Sequence, residues 1–135
     1  VLLGNSSLIQ KAKRARKILG GAMRQAGVIA AAGLYALEHN VERLKVDHEN
    51  AARLAQGLRE LGLDVEQQTN MVFAKVDRPQ EIAEHLKKNG VFVLPGARMR
   101  LVTHLDVDAA GIERALSAFR AFYAATRAAS PARAR

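Results

Sequence analysis

Cysteine and tryptophan are absent from this 135-residue chain, and aromatic residues make up only 4% of it. Without thiols, disulfides and thiolate chemistry are excluded. The scarcity of aromatics leaves no stacking platform for nucleic-acid bases. Long apolar runs are missing too: the uncharged stretch from Ala26 to Leu37 falls well short of the roughly 18 residues a membrane span needs. Nothing at the start resembles a signal segment, so the expected compartment is the cytoplasm. Acidic residues are the remaining shortage, 13 against 21 Lys and Arg, giving a net charge of +8.

That positive charge is not spread evenly. Lys11, Lys13, Arg14, Arg16, Lys17 and Arg24 follow one another with no acid between them, and Arg127, Arg133 and Arg135 sit near the other end. These two clusters account for the whole net charge, leaving the rest of the chain close to balanced. The basicity therefore belongs to one helix and one tail. The Lys11 to Lys17 run reads either as a phosphate-contacting patch for nucleic acid, whose binding would be salt-sensitive, or as the solvated face of an amphipathic helix.

Length fits one domain able to bury about two thirds of its unfolded surface. Asn5, Ser6 and Ser7 are N-cap candidates, and Leu8, Ala12, Ala15 and Leu19 recur at helical spacing up to Gly20-Gly21. A second helix is predicted over about Met23–His39, its small residues Gly27, Ala30, Ala31 and Gly33 suiting close packing. A third is predicted over about Val41–Leu61, with Val41, Leu44, Ala51, Leu54, Ala55, Leu58 and Leu61 as its buried stripe. After Gly62 the period turns strand-like: Leu63 to Val65, then Met71 to Val76, with a turn over Gln67 to Asn70. Pro79 opens a helix ending at Asn89-Gly90. Strands are predicted at Val91 to Leu94 and Met99 to His104, and Asp106 or Asp108 caps a last helix. The fold class is α+β (α/β), with helices packed on a small, mostly antiparallel sheet.

Three places could carry chemistry. Gly20-Gly21 followed by Arg24 could set backbone amides and a guanidinium beside a phosphate or carboxylate, or Arg24 could be an ordinary surface charge. On the alternating segment before His104, Arg98, Arg100, Val102 and His104 share one face. Arg100, between hydrophobes, reads as a partly buried guanidinium needing an anion, from a ligand or from an acid of the protein. His104 and Asp106 could pair, or the histidine could simply hydrogen-bond at the strand end. His39, His48 and His85 show no metal-ligand spacing, so no metal is expected.

Arg16-Lys17 before Gly20-Gly21-Ala22-Met23-Arg24-Gln25, the alanine-rich helix to Ala36-Leu37, Val41-Glu42-Arg43-Leu44 with Asp47-His48, Thr69-Asn70-Met71, and Arg100-Leu101-Val102-Thr103-His104-Leu105-Asp106 occur in an order that resembles low-specificity L-threonine aldolases. The resemblance runs over about residues 1–124. It implies the aspartate aminotransferase-like fold of pyridoxal 5'-phosphate enzymes. Residues 1–40 would be a remnant of the large cofactor-binding domain with its linking helix, 41–125 the small C-terminal domain, and 126–135 a disordered tail. The implied activity is cleavage of L-threonine, L-allo-threonine and other β-hydroxy-α-amino acids to glycine and an aldehyde, in a homo-oligomer.

By the same resemblance, Arg100 matches the arginine that binds the substrate carboxylate. Lys17 and Arg24 match residues that approach the cofactor, Arg24 near its phosphate. Ala22 stands where the family has a third glycine. The family's Schiff-base lysine lies in a Ser-x-Lys-Gly motif expected just before Val1, and no lysine of this chain has that context. The isolated chain is therefore expected to be inactive. The other readings are a non-catalytic basic module for nucleic acid or an acidic partner, and an assembly domain.

Overall fold

A computed structural model describes residues 1–129 and divides into two compact units, Val1–Asn40 and the chain from Val41 onward. The first unit holds two helices. In α1, Ser6–Ile18, the Asn5 side chain caps the start by accepting the Leu8 amide at 2.9 Å, and Arg16 and Lys17 in the last turn complement the helix dipole. Gly20, at φ 79°, takes the left-handed conformation that ends the helix. The second helix, α2, spans Gly27–His39 and starts later than the predicted Met23, since no capping side chain precedes it and Arg24 to Ala26 form a turn instead. No residue of α1 or α2 is buried.

The second unit runs α3 (Leu44–Glu60), β1 (Val65–Gln68), β2 (Met71–Lys75), α4 (Pro79–Lys88), β3 (Arg98–Val102) and α5 (Ala109–Ala129). Its sheet is antiparallel throughout, in the order β1-β2-β3, with Phe73 opposite both Glu66 and Arg100. The β1–β2 hairpin is local, whereas β2 reaches β3 through α4. Alternation along each strand sends Val72, Ala74, Met99 and Leu101 into the core, where they meet Leu54 and Leu58 of α3, Ile82 and Leu86 of α4, and Ile112, Leu116 and Phe119 of α5. Glu66, Phe73 and Arg100 lie on the opposite, helix-free face.

Several expectations are corrected. Val41 and Leu44, predicted in the buried stripe of α3, are exposed, because the helix starts at Leu44 and its core-facing positions begin at Asp47. Gln67 and Gln68, predicted as a turn, belong to β1, and only Thr69-Asn70 reverses the chain. Val91 to Leu94, predicted as a strand, joins no ladder. The predicted tail, 126–135, is helical over 126–129: Thr126 accepts a 2.5 Å hydrogen bond from Arg78, and Arg127 donates to the Leu61 carbonyl at 3.3 Å. Residues 130–135 lie outside the described residues.

Candidate functional site

Arg100 sits mid-strand in β3, on the helix-free face. The sequence suggested a partly buried guanidinium; the residue is exposed, because alternation along β3 turns it to the face opposite the core-facing Met99 and Leu101. Its neighbour Arg98 is engaged otherwise, paired with Glu66 and stacked over the Phe73 ring at 4.4 Å. Among the described residues no carboxylate lies within ion-pair distance of Arg100, so the internal ion pair considered from the sequence does not form. Arg100 lines a groove of about 610 Å³ bounded by Gly90–Gly96, by β3, by His104, Asp106 and Asp108 of the connection into α5, and by Arg114 of α5 itself. At the strand end His104 Nδ1 accepts the Asp106 amide at 3.3 Å and lies 3.5 Å from its carboxylate. The cap of α5 is Asp108, whose Oδ1 accepts the Gly111 amide at 2.7 Å.

Behind Arg100 lies a buried polar network absent from the sequence reading. Asp47, 2% exposed, takes a two-pronged contact from Arg43 at 2.6 and 3.0 Å. The Thr103 hydroxyl, equally buried, donates to the Asp47 carbonyl at 2.6 Å. Asn50 donates to the Val107 carbonyl at 3.0 Å, and Asn70 to the Thr103 carbonyl at 2.8 Å. Together these bonds tie α3 and the β1–β2 hairpin to the end of β3, which fixes the chain that carries Arg100 and His104. The signal was available in part: Asp47 and Asn50 fall on the same helical face as Ala51, Leu54 and Leu58, where polar residues need partners.

In the first unit, the two glycines do not serve as sequence reasoning suggested. The Gly20 amide donates to the Lys17 carbonyl at 3.2 Å and the Gly21 amide to the Arg16 carbonyl at 2.8 Å, so both are spent on closing α1. Nor do they open α2, which begins at Gly27. Ala22 has no positive φ, so the alanine in place of a third glycine strains nothing. Lys17 lies in the last turn of α1 and Arg24 in the turn before α2, both exposed and without a carboxylate partner among the described residues. Their donor chemistry suits a phosphate oxygen, now through side chains alone. Arg100 belongs to the other unit. Among the described residues no cluster of three His, Asp or Glu could hold a metal ion, and no helix is long and apolar enough to cross a membrane.

The family model described as beta-eliminating lyase matches residues 1–79. The low specificity L-threonine aldolase of Escherichia coli (strain K12) is 46% identical over 127 residues, covering 92% of this chain and 38% of that protein. Low-specificity L-threonine aldolase 1 of Arabidopsis thaliana is 37% identical over 131 residues, covering 89% of this chain and 37% of that protein. The chain thus spans well under half the length of these relatives. In fold it is similar to the ornithine aminotransferase of Toxoplasma gondii ME49, at a TM-score of 0.55 and 18% identity over 66% of this chain and 24% of that one. The chain belongs to the beta-eliminating lyase family, whose fold is that of pyridoxal 5'-phosphate-dependent enzymes.

Proposed function

We propose that this chain supplies the small domain, and the helices leading into it, of a pyridoxal 5'-phosphate-dependent threonine aldolase. The enzyme cleaves L-threonine and related β-hydroxy-α-amino acids to glycine and an aldehyde. The observation that carries the reading is the 46% identity with the Escherichia coli aldolase across 92% of the chain. When bound, pyridoxal phosphate supplies an electron sink for the pair left behind as the Cα–Cβ bond breaks.

Arg100 holds the substrate carboxylate. Its position supports this role: a guanidinium with no carboxylate partner among the described residues sits on a strand whose end is fixed by the Asp47, Asn70 and Thr103 network. A planar two-pronged contact orients the amino acid as well as binding it. Lys17 and Arg24 approach the active site from a neighbouring subunit of a homo-oligomer that works in the cytoplasm, Arg24 near the cofactor phosphate. None of the chain's lysines has the Ser-x-Lys-Gly context, so the chain by itself does not turn over threonine.

The test is acetaldehyde release from L-threonine by the full-length enzyme carrying these residues. Arg100→Gln is expected to lower kcat/KM by about 10- to 100-fold, the worth of hydrogen bonds to a charged group, chiefly through KM, with Arg100→Lys intermediate. No threonine cleavage by the parent enzyme, or an Arg100→Gln variant with unchanged KM, would overturn the reading.

A further inference from the structure

On the face of the sheet turned from the core, charged residues stand in two neighbouring rows. One row runs Asp64, Lys75, Arg98, and the next Glu66, Phe73, Arg100. Lys75 donates to the Asp64 carboxylate and holds that carboxyl below the usual carboxylate range. Arg98 donates to Glu66. The acids of both rows are thus taken, and Arg100 is the cation left over.

Register alone would pair Glu66 with Arg100. They share a row two strand spacings wide, about 10 Å between Cα atoms, whereas Arg98 lies two residues further along its strand and about 12 Å from Glu66. Arg98 nevertheless takes the carboxylate, reaching diagonally across β2 with its guanidinium 4.4 Å from the centre of the Phe73 ring. Phe73 stands between Glu66 and Arg100 in their row, so the ring rewards Arg98 with a cation–π contact while Arg98 covers the path from Glu66 to Arg100.

We propose that Arg98 is a positioning residue for substrate binding: by engaging Glu66 over the Phe73 ring it keeps that acid off Arg100 and leaves the Arg100 guanidinium free for the substrate carboxylate. The inference rests on the aldolase reading for what Arg100 holds. Without Arg98, Glu66 becomes an unpaired acid in the row of Arg100, and acid and substrate compete for one guanidinium. Such competition raises KM and leaves kcat unchanged, since saturating substrate displaces the acid. The acids of the groove itself do not enter this exchange: Asp106 faces His104, and Asp108 accepts the Gly111 amide.

The test is threonine cleavage by the full-length enzyme carrying these residues, together with the substrate-free crystal structure of its Arg98→Gln variant. Arg98→Gln is expected to raise KM by about two- to sixfold, the occupancy of an exposed ion pair, at unchanged kcat. Arg98→Lys, which keeps a cation for Glu66, is expected to raise it less. Adding Glu66→Gln to Arg98→Gln is expected to restore the starting KM, a rescue that general loosening of β3 would not give. In the variant crystal, a Glu66 carboxylate oxygen is expected within about 4 Å of the Arg100 guanidinium. An unchanged KM in Arg98→Gln, a raised KM that Glu66→Gln leaves in place, or a Glu66 that stays away from Arg100 would each overturn the proposal, the last marking a change of field alone. Arg100→Gln separates this failure from that of the underlying reading: an unchanged KM there removes the substrate role of Arg100 and with it that of Arg98, whereas a raised KM there but not in Arg98→Gln removes the role of Arg98 alone.

Discussion

At the scale of single residues, the buried polar groups carry the sharpest consequences. Thr103 is 1% exposed, and its hydroxyl donates to the Asp47 carbonyl at 2.6 Å. Thr103→Val keeps the shape but removes the hydroxyl's bond to that carbonyl, which retains its partner within α3, and is expected to cost about 0.5–1.5 kcal/mol, read as a lowered urea midpoint, whereas Thr103→Ser retains most of the stability. Tyr123 is the reverse case: its hydroxyl has no hydrogen-bond partner among the described residues. Burial first, then the charge of Asp77, pushes its pKa above the ordinary 10.0, with Arg78 opposing. A raised phenol pKa means that the unfolded chain ionises before the folded one. This contribution to stability is complete below the unfolded pKa and is lost as pH rises towards the folded value. Tyr123→Phe is expected to leave stability at neutral pH nearly unchanged and to flatten its decline above pH 10.0, measured by thermal unfolding across that range. Neither residue was legible in the sequence, since a threonine or tyrosine beside hydrophobes says nothing of which carbonyl or acid the fold will bring to it.

At the scale of elements, α3 against α5 is the contact to test. A Cβ on Gly57 would lie 2.5 and 2.7 Å from the two δ carbons of Leu116 and 3.2 Å from its γ carbon. Leu116 is 2% exposed and packed in the core, so turning it away disturbs its other neighbours, and the helices approach closely because position 57 has no side chain. Gly57→Ala gains about 1 kcal/mol of helix propensity but meets an overpacking cost of about 1–3 kcal/mol. The expected net result is a lower melting temperature, whereas on a Leu116→Ala background, itself destabilised by the cavity, Gly57→Ala is expected to cost nothing further. Periodicity located α3, α4, β2, β3 and α5 because each has one apolar stripe set against polar residues. It failed at Val91 to Leu94, where alternation without a ladder is indistinguishable from alternation within one. It also failed at Val41 and Leu44, where the apolar stripe runs on past the part of the helix that the core covers.

At the scale of the whole molecule, every buried residue among the described ones lies in the second unit, from Asp47 onward, while α1 and α2 bury none. Hydrogen exchange is therefore expected to divide the chain, with amides of α3, β2 and α5 protected to the level of global unfolding and those of α1 and α2 exchanging far faster. Comparable protection in both would contradict this division. The sequence by itself determined the absence of thiol chemistry, the clustering of positive charge on α1, the order of most elements, and through its motif order the family; these follow from residue types and their local spacing. The tertiary structure alone decided that Gly20 and Gly21 close α1 instead of greeting an anion, that Arg100 is exposed and unpaired by acids among the described residues, that Asp47, Asn50, Asn70 and Thr103 form one network, and that Val91 to Leu94 borders an open slot. Each of these depends on groups distant in sequence, or on competition between two hydrogen-bond partners, and no local pattern encodes the outcome.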